Sequence, residues 1–339
     1  MVACIRILLL CVLFFPLLLH AQQPAKLMPK DSTARDSIIN QGYPYVFPIW
    51  GEKTLKRGFD IPYPAGVMLN FYAQNQDYVI DNLSIGINGS EQVDVSFLEF
   101  GEITGRSQVL NFRPDLWIFP FLNVYGILAY GNTTTGVAIE EPFQYRTSVE
   151  LSGWAYGFGA TAAFGVGPVW IAVDANTSWS DLDLLDDAVR ASIISPRIGH
   201  TFVSRNKRGE NLAIWVGAMY QSIDARTVGT VPLDDLFDGI TEERKDEIQA
   251  SVEDWYETLN PGQQIVIDRF FDALQDKVDG GNTSDVSIDY NLDKKPAQAW
   301  NMLIGFQYQL NKHWMFRGEG GFLGQRNSAL LSVNYRFRL

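Results

Sequence analysis

The sequence predicts an all-β fold, an antiparallel sheet closed into a membrane-spanning β-barrel of about 12 strands, with a helical hairpin inserted in one extracellular loop. Three observations predict it: the chain opens with an export-type leader, apolar and polar residues alternate over most of its length, and the alternation runs to its end. There Leu331, Val333, Tyr335, Phe337 and Leu339 form one row, and Ser332, Asn334, Arg336 and Arg338 the other. A period of two with one greasy and one polar face is that of a β-strand. A terminal strand of this kind behind an export leader points to a transmembrane barrel.

Residues 1–21 form the leader. Arg6 supplies the positive charge, Ile7–Leu19 the apolar stretch, and Leu19-His20-Ala21 a cleavage site. The apolar stretch is shorter than the ~20 residues a spanning helix needs, so cleavage is expected. Both cysteines, Cys4 and Cys11, fall inside it. Leu10 stands before Cys11 where a lipoprotein leader wants a small residue, so no lipid attachment is expected. The mature chain would hold no disulfide and no thiolate metal site. Residues 22–63 are polar, contain proline and show weak patterning, and read as a periplasmic N-terminal extension with an ordered stretch near Tyr43–Trp50.

From residue 64 to 339 the alternation recurs, with candidate strands at 65–73, 76–88, 92–100, 106–118, 121–131, 152–165, 168–180, 190–203, 211–223, 298–310, 313–324 and 328–338. Each approaches the ~9–11 residues of a tilted membrane strand. With the C-terminus in the periplasm, the connections Pro120, Gly165–Gly167, Ser204–Glu210 and Asn311–His313 fall on the periplasmic side and are short. Gly131–Leu151, Asp181–Val189 and Asp224–Ala297 fall outside and are long, as in bacterial barrels. A soluble barrel would put its apolar row inside. The ring placement favours the membrane, with Trp154, Trp179, Tyr220 and Trp300 near outer strand ends. Trp170, Tyr308, Trp314, Tyr335 and Phe337 lie near inner ends, and two aromatic girdles are what a bilayer selects.

On these residues the chain resembles bacterial outer-membrane β-barrel proteins, and its last strand resembles their C-terminal assembly signal, although it ends Phe337-Arg338-Leu339 rather than on an aromatic residue. The resemblance implies the outer membrane of a Gram-negative cell, contact with its lipids, insertion by the barrel-assembly machinery through the last strand, and a monomer. It reaches an architecture and implies no particular activity.

Within the barrel, residues 231–279 change period. Leu236, Ile240, Ile248, Val252, Trp255, Tyr256 and Leu259 recur at helical spacing, Asn260-Pro261 is a start signal, and Ile267, Phe270, Phe271, Leu274 and Val278 form a second stripe. The segment carries fourteen acidic against four basic residues. Its stripes either pack on each other with the acids solvated, or the hairpin covers the barrel mouth and favours cations. No EF-hand spacing is present.

The inner polar rows offer seven charges as candidate lumen or selectivity residues: Arg113, Asp115, Asp174, Arg197, Arg317, Glu319 and Arg336. They serve equally a structural network and a selectivity constriction. The small residues Gly159 and Thr161 on an inner row leave room for a bulky neighbour or leave free space. The formal net charge of −12 argues against nucleic acid as a partner. No cofactor or metal cluster is expected, and His200 and His313 lack a triad-like neighbourhood, so no enzyme is expected. The sequence therefore points to a channel for small polar solutes. A surface-binding or structural protein is the alternative, and a membrane-embedded lipid hydrolase or deacylase the third reading.

Overall fold

The computed structural model describes residue 40 and residues 42–57, 59, 61–98, 100–139, 145–166, 169–183, 185, 187–204, 209–223, 226–232, 242–280 and 286–339. The leader lies outside the described residues. The chain forms helix α1 (Gly51–Lys56), then strands β1 (Ala65–Ile87), β2 (Val93–Asp94), β3 (Phe100–Phe119), β4 (Leu122–Ile139), β5 (Tyr145–Val166), β6 (Val169–Leu182), β7 (Val189–Val203), β8 (Asn211–Ile223) and β9 (Arg226–Pro232). Helices α2 (Glu242–Thr258) and α3 (Pro261–Gly280) follow, then β10 (Ser287–Pro296), β11 (Trp300–Gln309), β12 (Trp314–Phe322) and β13 (Arg326–Phe337).

The wall of the barrel is a ring of antiparallel neighbours in the order β1, β3, β4, β5, β6, β7, β8, β11, β12, β13. β13 returns to β1 and closes it, in register from Ala65 opposite Phe337 to Gln76 opposite Arg326. The expected count of about 12 is therefore corrected to ten. Residues 65–73 and 76–88 are one strand, because Met68, Asn70, Tyr72, Gln74, Gln76 and Tyr78 keep one phase, and the polar stretch between them is no turn. Of the candidate strand 92–100, residues 92–98 supply only β2, which pairs Val93 with Ile85 and stays outside the ring, while Phe100 opens β3.

The faces are inverted relative to a soluble protein. Asn70, Asn123, Asp174, Ser195, Asn301 and Asn334 are buried inside the ring, while Leu69, Phe112, Leu128, Ile171, Ile214, Ile304 and Leu331 stand exposed around it. Rings mark both borders of this belt. On the upper border Tyr130 meets Trp154 at 5.2 Å and Tyr220 meets Trp300 at 5.2 Å. On the lower border Trp314 meets Tyr335 at 4.9 Å and Phe119 stacks on Phe121 at 5.4 Å. Strand rises of ~3.3 Å per residue, tilted by roughly 40°, put Phe121 and Tyr130 about 23 Å apart in height, close to the ~25 Å apolar band of such barrels. Trp170 leaves the expected girdle. It shares the phase of Asp174 and therefore faces the lumen, where its ring lies 5.9 Å from that of Trp215.

Two additions close the ends. At the lower end the segment before β1 packs on the rim: Ile49 N donates to Ile118 O at 2.9 Å, Trp50 lies 5.1 Å from Phe119, and Tyr63 lies 4.8 Å from His313. At the upper end β1, β3, β4 and β5 continue for 23, 20, 18 and 22 residues, about twice the membrane requirement. β10 takes over the edge of β1 where β13 stops. Asp77 N donates to Gln325 O, Ala297 N donates to Asp77 O, and Tyr78 then opposes Pro296. β9 pairs with β10 and reaches Leu185, between β6 and β7, through the bridge at Gly229. A second tier of sheet thus stands on one side of the barrel and crosses toward the other.

Residues 231–279 contribute α2 and α3, while 233–241 lie outside the described residues. Trp255 and Ile267 bury against Val95, with Leu83, Ile85 and Phe97 around them. Asn260 caps α3 by accepting from Gly262 N and Gln263 N, each at 3.0 Å, and Gln263 Oε1 accepts from Asn260 N, a reciprocal cap. No helix among the described residues is long and apolar enough to cross a membrane.

A charge on the outer belt should be costly. Leu331→Arg, halfway along β13, is expected to lower unfolding stability in lipid vesicles by about 2–4 kcal/mol, read from urea midpoints. Asn327→Arg at the strand end should cost little by the same measurement.

Candidate functional site

The site is the lumen, and the alternation of each strand builds it. Arg197 on β7 sends its fork across to Glu319 on β12, Nε to Oε2 at 2.9 Å and Nη2 to Oε1 at 3.1 Å. Glu319 Oε2 also accepts from Arg317 Nη2 and from Trp215 Nε1, both at 2.9 Å. Two-point arginine–carboxylate contacts fix geometry as well as charge.

A second carboxylate, Asp174 on β6, accepts from Tyr125 Oη at 3.0 Å and from Thr161 Oγ1 at 2.5 Å. Arg113 Nη2 stands 3.8 Å from it, with its guanidinium 3.2 Å above the Tyr125 ring. Tyr125 fits because Gly159 lies beneath it on β5, where a Cβ would collide with the end of the ring. The bulky neighbour expected at Gly159 is this tyrosine.

A third group holds the lower rim. Asp115 accepts from Arg336 Nη1 at 3.0 Å and from Asn123 Nδ2 at 2.7 Å. Arg336 donates in addition to Tyr63 O at 2.7 Å and Pro64 O at 3.0 Å, so the last strand pins the segment leading into the first.

These groups leave two internal cavities, of about 150 and 200 Å³. The lower is lined by Pro62, Asp115, Trp170, Trp215 and Arg336, and the upper by Asn70, Asp174, Ile193 and Glu319. Met68, Arg113, Arg197 and Arg317 line both. All seven charges singled out in the sequence line one or both, and the structure brings them into three adjoining clusters. Larger grooves lie on the outer wall, at Gly126, Ala160 and Ala175 and at Gly318, Gly320 and Ala329. They are hollows between large apolar side chains on the lipid side and hold no charged cluster.

Two cations escaped the sequence reading. Arg326 is buried at the upper end of β13, where it donates to Gln221, to Met219 O at 3.1 Å and to Asn301 Oδ1 at 2.7 Å. It falls between the candidate strands 313–324 and 328–338, although its phase is that of Ser332 and Arg336. Lys294 on β10 sits above the membrane belt. Its Nζ donates to Thr135 Oγ1 at 3.1 Å and lies 4.1 Å from the centre of the Tyr78 ring. Burial pulls its pKa from 10.5 down to about 8, and no sequence period marks a strand that crosses a mouth. Among the described residues no group of three or more metal-ligating side chains gathers. His200 lies on the outer wall with its ring 4.4 Å from Phe202, and His313 Nδ1 is 2.8 Å from Arg336 O.

A closed antiparallel ring with an apolar belt outside and an ion-paired lumen inside is the architecture of an outer-membrane β-barrel. No family model and no curated protein matches the chain. Among solved structures it is similar to the β domain of the Bordetella autotransporter BrkA, at 8% identity over 81% of this chain and 100% of that one, with a TM-score of 0.37. An outer membrane channel from Pseudomonas putida F1 gives 11% identity, coverage of 82% and 97%, and a TM-score of 0.29. The translocator domain of NalP from Neisseria meningitidis gives 10%, 84% and 92%, and 0.33. At these scores the class rests on the geometry of the chain itself.

Removing Glu319 should leave Arg197 and Arg317 buried without their carboxylate. Glu319→Ala is expected to cost about 3–5 kcal/mol, measured as the drop in urea midpoint of the folded barrel. Lys294 gives a pH signature. Its folded pKa of about 8 lies below the ordinary 10.5, so between these values the unfolded chain binds more protons and stability rises with pH. Lys294→Met should therefore be more stable than the parent below pH 8, with the gain shrinking as pH approaches 10.5.

Proposed function

We propose that the chain is a passive conduit for small polar solutes across the outer membrane of a Gram-negative cell, held closed at rest. The observation that carries this is the shared lining of the two cavities by Met68, Arg113, Arg197 and Arg317. The residues dividing one polar space from the next act through their side chains, so a path opens by rearranging ion pairs without unfolding the wall. Eight strands enclose a lumen that side chains fill, and open aqueous channels use 16–18. A ring of ten sits near the filled end of that range, which suits a narrow, selective passage.

In this reading the leader is cleaved and the C-terminal rim faces the periplasm. The segment before β1 is the periplasmic stopper, tied by Arg336. β9 and β10 narrow the outer mouth at Lys294, and α2 and α3 form a hairpin beside that mouth that shapes access. The histidines have other occupations, on the lipid wall and in the Arg336 contact, and this supports a non-enzymatic role.

A surface-binding role is favoured by one separate observation. The second tier and its helices present Ile265 and Phe271 about half exposed at the end away from the C-terminus, where a partner would meet them.

In planar bilayers the mature chain should give small, infrequent current steps. Removing residues 22–60 should raise conductance several-fold, and Glu319→Gly should do so to a lesser degree. A silent bilayer for all three proteins would remove the conduit reading. Loss of partner or cell-surface binding on deleting 233–285 would favour the surface role.

A further inference from the structure

The charges lining the two cavities do not balance. They are the four arginines Arg113, Arg197, Arg317 and Arg336 against the three carboxylates Asp115, Asp174 and Glu319. The lower cavity alone is lined by all four arginines and by Asp115, and Asp115 is engaged by Arg336 at 3.0 Å. An excess cation enclosed in protein and lipid is costly unless an opposite charge lies beside it.

The hydrogen bonding carries the same sign. Among the described residues the buried donors Arg113 Nε, Arg317 Nε and Trp170 Nε1 have no partner. Arg336 engages each of its three nitrogens with Asp115, Tyr63 O or Pro64 O, and Arg197 is committed to Glu319 through two nitrogens. These three belong to side chains that line the lower cavity, where among the described residues no buried acceptor is left unpartnered, whereas Gln76 Nε2, Asn301 Nδ2 and Arg326 Nε line neither cavity. Orphaned donors beside a surplus positive charge ask for an acceptor that carries negative charge.

The geometry points to a binding site in the lower cavity for one small oxyanion, a carboxylate or inorganic phosphate, held between Arg113, Arg317 and Trp170 Nε1. The site rests on the conduit reading in giving its solute a charge, since an anion held here lies on the path between the stopper and the ion-paired layer. About 150 Å³ limits the ligand to a few non-hydrogen atoms. The helices α2 and α3 then sit at the opposite end of the barrel, against β1 and β2, and take no part in recognition. A cation would meet three unpartnered donors and a surplus of positive charge, and be excluded.

The test uses the full mature chain, folded in detergent and incubated to equilibrium with sodium phosphate, sodium acetate or sodium chloride at constant ionic strength. Saturable quenching of tryptophan fluorescence by phosphate or acetate, with a rise in unfolding temperature, is expected, because Trp170 and Trp215 line the cavity. Arg317→Met and Arg113→Met should each weaken that binding by about tenfold or more, the worth of one charge-assisted hydrogen bond. Arg326→Met, outside the cavity, should leave it unchanged, and the folded-barrel shift on unheated gels confirms that each variant closes. A parent response that does not saturate, or one that survives in both cavity variants, overturns the site. Anion binding by a protein silent in bilayers keeps the site and removes the conduit, whereas conductance without any cavity response removes the site and keeps the conduit.

Discussion

Everything in this molecule depends on the seam between β1 and β13. In hydrocarbon no water can satisfy a backbone N–H or C=O, so a sheet survives there only if its two edges find each other. The pairing of Ala65–Gln76 with Arg326–Phe337 supplies that closure. Once the ring is shut, every residue has only two directions to face, and the alternation of the sequence sorts apolar groups outward and polar groups inward. The lumen chemistry follows from that sorting, because no third layer exists to receive a charge.

The same closure explains why the inner charges stand in direct contact. Ten strands enclose little space, so charged side chains from strands that are not neighbours meet directly, as Arg197 on β7 and Glu319 on β12 do. Glu319 then serves Arg317 and Trp215 as well, and Asp174 serves Arg113, Tyr125 and Thr161. Breaking one member leaves its partners buried and uncompensated, which gives the network its stability and makes it a barrier. The three clusters are tied to the ends: Arg336 joins the lower cluster to Tyr63 and Pro64, and Arg326 anchors the upper end of β13 to β8 and β11.

Much of this was legible in the sequence for a physical reason. Period-two alternation reports which side a residue faces, so Arg113, Asp115, Asp174, Arg197, Arg317, Glu319 and Arg336 could be assigned inward without knowing their partners. Alternation does not report height. β1 therefore read as two strands, since a polar stretch at Gln74–Asp77 looks the same in a turn and in a strand rising out of the bilayer. Trp170 shows the complementary error: ring type suggested the lipid border, while its phase with Asp174 put it inside. Contacts across the lumen, the crossing of β10 and the docking of Tyr63 on the rim depend on chain segments far apart in sequence, and no local pattern carries them.

The handover at Asp77 has a kinetic meaning. One edge of β1 is shared, its upper part taken by β10 and its lower part by β13. Both partners come from the far end of the chain, so β1 waits as an open edge while most of the polypeptide is made and moved. Closing so long a loop is entropically slow, and an open edge is a template for wrong partners. β10 precedes β13 in the chain, and in the closed ring its pairing at Tyr78–Ile87 begins where the pairing of β13 ends at Gln76. The strand that crosses toward the mouth of the barrel thus also bounds the seam, because β13 can extend along β1 only as far as the point where β10 begins.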